Sequence, residues 1–96
     1  MATIDISRAH TLSKDDAKKK AEELANGMKE KLGLDWKWAG DNIEFKAESG
    51  AAKGAKGEVR VSDKDVRVLV DLPFMLRVMK GTIEEKITQK LTSLLA

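Results

Sequence analysis

Leu34-Asp-Trp-Lys-Trp-Ala-Gly-Asp-Asn-Ile-Glu-Phe-Lys-Ala47 is the stretch that decides the fold. Leu34, Trp36 and Trp38 alternate with Asp35 and Lys37, and Ile43, Phe45 and Ala47 alternate with Glu44 and Lys46. Successive side chains of a strand point to opposite faces, so each half carries one apolar and one charged face. Gly40-Asp41-Asn42 between the halves has the chemistry of a tight turn. The stretch is therefore a β-hairpin with one dry face, and the rest of the chain has to supply that face with neighbours and a cover.

The cover begins upstream. Ser13-Lys-Asp-Asp16 offers a helix cap followed by acids at the positive end of the helix, and Ala17, Ala21, Leu24, Ala25, Met28 and Leu32 then recur along one side. Gly33 ends the run, so the spacing predicts a helix over about residues 14 to 32. Before it, Ile4 and Ile6 alternate with Thr3, Asp5 and Ser7, a short strand. Downstream, Glu48 to Gly57 is too rich in glycine for a helix or strand and reads as a mobile loop. Val59 and Val61 mark a fourth strand, Ser62-Asp-Lys-Asp65 a turn, and Val66, Val68, Val70 and Leu72 one face of a fifth, which Pro73 stops. Leu76, Met79, Ile83, Ile87, Leu91 and Leu94 then lie on one side of a C-terminal helix.

The fold class is α+β, in the order β-α-β-β-β-β-α: a five-stranded antiparallel sheet with both helices packed on one face. The first strand is expected to pair with the last, giving the spatial order 2-3-4-5-1. The outer face would carry Lys37, Glu44, Lys46, Glu58, Arg60, Arg67 and Asp71, with Leu69 as its apolar exception.

A chain of 96 residues fits a single domain, 1-96, with a thin core and little room for a large internal cavity. With no cysteine there is no disulfide framework and no thiolate chemistry, which suits a reducing cytoplasm. No apolar run is long enough for a transmembrane segment. The net charge of +2 implies no strong field for nucleic acid or membrane, so nucleic acid is not an expected partner.

Candidate sites are few. His10 is the single histidine, and it has no visible partner for nucleophilic or general-base work, so a packing or hydrogen-bonding role at the strand-to-helix junction is expected. Gly50, Gly54 and Gly57 match no phosphate-binding spacing, and no metal or cofactor is implied. Asp15-Asp16 and Glu84-Glu85 read as acids at helix N-termini. Lys14 and Lys18-Lys-Lys20, with Trp36 and Trp38, would suit single strands, but tryptophans on a buried strand face are expected to be core.

Phe74, Met75, Leu76, Val78 and Met79 resist a purely structural account. They crowd apolar groups around more than one side of a turn, so one sheet face cannot take them all. Gly81 followed by Thr82-Ile-Glu-Glu85 resembles a fresh capping box, which would make this patch a separate short helix. Phe74, Met75, Val78 and Met79 are the candidate binding residues, for a partner, a dimer mate or a hydrophobic surface.

The chain resembles the small bacterial polyhydroxyalkanoic acid system proteins, also called the polyhydroxyalkanoate granule region family. The features that carry the resemblance are Ile4, Ile6, Arg8 and His10 before Leu12-Ser13, Trp38, Gly40-Asp41, Ile43 and Phe45 in the hairpin, Gly57, and Leu72-Pro73 followed by Ile83, Ile87 and Leu91. The resemblance supplies no catalytic residues; it implies a link to polyester storage granules, and His10 matches a family position. The resulting expectation is a non-enzymatic accessory protein that meets a polyhydroxyalkanoate granule surface or a granule protein through its apolar patch. The competing one is a small-molecule, hydroxyacyl-type binder or enzyme using His10.

Overall fold

The computed structural model describes residues 3–48 and 53–95. It contains β1 (Ile4–Ala9), α1 (Lys14–Leu32), β2 (Asp35–Ala39), β3 (Asn42–Lys46), β4 (Lys56–Val61), β5 (Asp65–Asp71), a six-residue 3₁₀ helix (Phe74–Met79) and α2 (Lys80–Leu95). The strands form one antiparallel sheet in the order β1-β5-β4-β3-β2, the expected arrangement.

Local chemistry sets the elements. Ser13 Oγ accepts the Asp16 amide at 3.2 Å and opens α1, while Gly33, at φ 70°, closes it by returning its amide to the Lys29 carbonyl at 3.0 Å. The β2–β3 turn takes two residues, Gly40 and Asp41, between the paired Ala39 and Asn42, and Gly40 holds the positive φ that such a hairpin needs.

Ile4, Ile6, Ile43, Phe45, Val59, Val61, Val66, Val68, Val70 and Leu72 line the inner face, all buried. α1 lies over β2, β3 and β4, and α2 lies against β1 and α1. Ala17, Ala21 and Ala25 let α1 approach the sheet closely, with Leu24 and Met28 filling beside them. The side chain of Leu32, expected in this stripe, lies outside the described residues. From α2 only Ile87 and Leu91 are buried, with Ile83, Leu94 and Leu95 packed partly against the core.

Three readings of the sequence are corrected or refined. Trp36 and Trp38 are half-buried rather than core, because β2 is an edge strand and α1 covers only part of it. The indole of Trp36 donates to Asn26 Oδ1 at 3.0 Å, its ring meets that of Trp38 edge to face, and the Lys18 ammonium lies 5.0 Å from the Trp38 ring centroid. These rings serve packing along the sheet edge. The patch does form its own short helix ahead of the main one, as expected, but the main helix starts at Lys80 and not at a Gly81-Thr82 cap, so Glu84 and Glu85 stand beyond its first turn. The 3₁₀ segment runs directly into α2 through a helical Lys80, so the boundary is a change of pitch. Finally, β4 is longer than Val59 and Val61 suggested, because Lys56, Gly57 and Glu58 also pair with β3 and β5.

Gly57 is where β4 depends on a missing side chain. It sits between Phe45 and Val70 on the inner face, and a Cβ there would lie 2.8 Å from Phe45 Cζ, 3.0 Å from Val70 Cα and inside contact distance of the Leu69 carbonyl oxygen. Backbone cannot step aside as a flexible side chain can, so Gly57→Ala should destabilise the protein by about 3 kcal/mol or more, read as a lowered urea midpoint. A midpoint within error of the parent would remove this account of the glycine.

The surface is charged and tied between elements. Arg67 grips Asp5 with Nε and Nη2 at 2.8 and 2.6 Å, and Lys14 and Lys18 hold Asp41 at 2.6 and 3.3 Å, fastening the hairpin turn to α1. Hydrogen bonds from Arg67, with its nearby charge, hold the Asp5 carboxyl below its ordinary pKa, and hydrogen bonds from Lys14 and Lys18 do the same for Asp41. Depressed carboxyl pKa values contribute stability that is present above the ordinary aspartate range and is lost as pH falls through the native value. Stability should therefore fall below about pH 4, and Asp41→Asn should flatten that acid limb, measured as urea midpoints from pH 2 to 6. Both sites are exposed, so the change is small, and an unchanged acid limb would count against the pairing.

Candidate functional site

The strongest departure from ordinary surface chemistry follows β5. Pro73 cannot donate to the sheet, and with φ −64° and ψ 157° it turns the chain out of the strand. The exit is pinned on three sides: Leu72 N–H donates to Thr3 Oγ1 at 3.2 Å, Arg77 Nε to the Leu72 carbonyl at 3.2 Å, and Leu76 N–H to the Pro73 carbonyl at 2.9 Å. Gly54 backs onto the Pro73 ring, where an added Cβ would meet Pro73 Cβ at 3.3 Å.

The pitch of the 3₁₀ helix then sorts the side chains. At three residues per turn, positions three apart eclipse one another, so Leu76 and Met79 share one column, Met75 and Val78 another, and Phe74 and Arg77 a third. The Leu76 column turns toward the core and lines an apolar pocket with Leu72, Val70 and Ile83. The other two columns turn to solvent. Phe74 is 83% exposed, Met75 83% and Val78 88%, with Met79 at 49% on the border. No residue of this segment is buried. Large apolar side chains that pack on nothing, held on a pinned helical turn, form a contiguous patch suited to an apolar partner. Arg77 and Lys80 are exposed beside it and supply hydrogen-bond donors at its edge.

His10 lies elsewhere. β1 runs antiparallel to β5, with Ala9 opposite Asp65 and Ile4 opposite Val70, so His10 and the patch stand at opposite ends of the sheet. They are about 20 Å apart along the strand and cannot form one site. The Leu12 N–H donates to His10 Nδ1 at 3.1 Å, and Nε2 lies 2.9 Å from the Ser62 carbonyl oxygen. A backbone amide can only donate and a carbonyl can only accept, so the ring is the neutral tautomer with its proton on Nε2. The His10 backbone amide adds a bond to the Lys64 carbonyl at 2.9 Å. His10 thus ties the end of β1 to the β4–β5 turn and to the approach to α1, with both ring nitrogens engaged.

The other candidates also resolve into local structure. Of the lysine group, Lys14 and Lys18 are paired with Asp41. In the glycine-rich connection, Gly54 N–H bonds to the Ala47 carbonyl at 2.9 Å and Ala47 N–H to the Ala55 carbonyl at 2.8 Å, closing the strand ends; Gly50 lies outside the described residues. Among the described residues no cluster of histidine and carboxylate side chains could hold a metal ion, and no helix is long and apolar enough to cross a membrane. The sequence singles out Phe74, Met75, Val78 and Met79; the 3₁₀ pitch that separates the first three from Leu76 and puts Met79 in the Leu76 column had no signal in the periodicity.

His10→Ala should lower stability by about 1–2 kcal/mol through loss of both ring bonds, and ¹⁵N spectra of the parent should show an unprotonated Nδ1. A protonated Nδ1 in the neutral ring would overturn the assignment.

A family model described as "Putative polyhydroxyalkanoic acid system protein" matches residues 4–95, nearly the whole chain. No curated protein and no solved structure gives a match.

Proposed function

Because the chain belongs to the polyhydroxyalkanoic acid system protein family, we propose that it is a non-enzymatic accessory protein of polyester storage that docks on the granule through the 3₁₀ segment. The observation that carries this reading is the exposure of Phe74, Met75 and Val78 on a turn whose start, at Leu72 and Pro73, is tied down by hydrogen bonds. A polyester surface is apolar with embedded ester carbonyls. Phe74, Met75 and Val78 would bury against its aliphatic part, methionine adapting to an irregular surface, while Arg77 and Lys80 donate to carbonyl oxygens.

Magnitudes make this a reversible contact. Burying the three most exposed side chains is worth about 5 to 9 kcal/mol, and losing translational and rotational freedom costs about 4 kcal/mol or more. One copy would therefore exchange on and off a granule, and a dense layer would form only at high occupancy. A granule protein offering an apolar groove would hold the same patch more tightly.

Co-sedimentation with polyester particles stripped of protein tests the reading. The parent chain should pellet with the particles, and Phe74→Ser with Met75→Ser should shift it largely to the supernatant. Equal pelleting of both would sink the proposed surface. Pelleting only with native, protein-coated granules would move the partner from polymer to granule protein.

A further inference from the structure

α1 and α2 cover the sheet without closing fully on each other. Between them runs a surface cleft of about 450 Å³ with Leu24, Met28, Ile83 and Ile87 along its floor. It shares Met28, Ile83 and Ile87 with the narrower pocket of about 150 Å³ that reaches under Leu76 and Met79 toward Val70 and Leu72. The two form one apolar channel, open between the helices and ending against the sheet. An apolar cavity of about 150 Å³ admits a group the size of benzene, or an alkyl tail of about six carbons.

The rim of this channel is cationic. Lys31 and Lys86 border both parts, and Lys90 borders the outer part with its stem across Gly27, where an added Cβ would stand 3.7 Å from Lys90 Cε. Glu30 is the carboxylate on the same rim, leaving three positive charges to one negative. Among the described residues none of the three lysines takes part in an ion pair, as is true of most lysines of the chain; what sets these three apart is that they border one apolar cleft. Unpaired ammonium groups around a dry floor fit an anion that brings its own apolar tail. A bare anion would leave the floor hydrated, and a neutral tail would leave the lysines without a partner.

We propose that the α1–α2 channel binds a medium-chain aliphatic carboxylate, its tail under Leu76 and Met79 and its carboxylate among Lys31, Lys86 and Lys90. Fatty acids and hydroxyalkanoates share this chemistry. The site is separate from the docking patch, since Phe74, Met75 and Val78 lie outside the channel.

The test is a titration of the full chain with sodium octanoate below its micelle concentration, followed by methyl and amide NMR, with acetate and 1-octanol in parallel. Octanoate should give saturable shifts at Met28, Ile83 and Ile87 and bind at least tenfold more tightly than either control. Lys31→Glu and Lys86→Glu, both at exposed positions that leave the core intact, should each weaken octanoate several-fold, and added salt should do the same. Absence of saturable shifts in the channel, equal binding of octanol and octanoate, or unchanged affinity in both lysine variants would overturn the proposal. A parallel 3-hydroxyoctanoate titration assigns the source: tighter binding than octanoate points to hydroxyalkanoates and weaker binding to fatty acids, either order keeping the site. Phe74→Ser should bind octanoate as the parent does while losing granule adsorption, so failure of one reading is distinguishable from failure of the other.

Discussion

One apolar sheet face is divided unequally between two helices, and the rest of the structure follows from that division. α1 places three alanines against the sheet and so sits low over β2, β3 and β4. α2 reaches the core with only Ile87 and Leu91 and leans on β1 and α1. Close packing under one helix and a shallow seat under the other leave a channel between them, floored by the buried Leu24, Met28 and Ile87 and the partly buried Ile83. The segment leading into α2 must cross from the end of β5 to that shallow seat. It does so as a tight 3₁₀ turn that commits Leu76 to the core and leaves Phe74, Met75 and Val78 outside.

That arrangement separates two chemistries within a short span of chain. The outward columns of the 3₁₀ turn offer an apolar surface with basic groups beside it, suited to a broad and weakly structured partner such as a polymer. The inward column roofs a narrow channel whose rim is cationic, suited to a small amphiphilic anion. Leu76 and Met79 belong to the channel and Phe74 and Val78 to the surface, so the same turn stands between them. His10, at the far end of the sheet, takes no part in either. Its two ring nitrogens and its amide knit β1 to the β4–β5 turn, which gives a structural reason for a histidine beside a helix cap.

The strands and their pairing were legible in the sequence because each has a period of two and each connection has recognisable turn chemistry. Trp36, Trp38, Ile43 and Phe45 mark the hairpin, Val66 to Leu72 mark β5, and the cap at Ser13 and the stop at Gly33 delimit α1. The patch was legible too, as more apolar groups than one face can bury. Less was legible where side chains stop deciding. The start of β4 at Lys56 and Gly57 carries no alternation, and the reason Gly57 must lack a Cβ is the ring of Phe45 and the backbone of β5, both remote in sequence. Gly81 and Thr82 looked like a boundary because glycine and a capping pattern usually make one. Here the chain enters α2 already helical at Lys80, so no cap is needed.

By itself, then, the sequence determined the antiparallel hairpin, the capped first helix, the apolar face of the sheet and the excess of apolar groups after Pro73, since all of these rest on spacing between near neighbours. Tertiary structure alone decided which side of the final segment faces solvent, how far His10 stands from it, and that Lys31, on α1, shares a rim with Lys86 and Lys90, on α2. Those are relations between residues far apart in the chain. They are fixed by how two helices of unequal depth settle on one sheet, which no local period encodes.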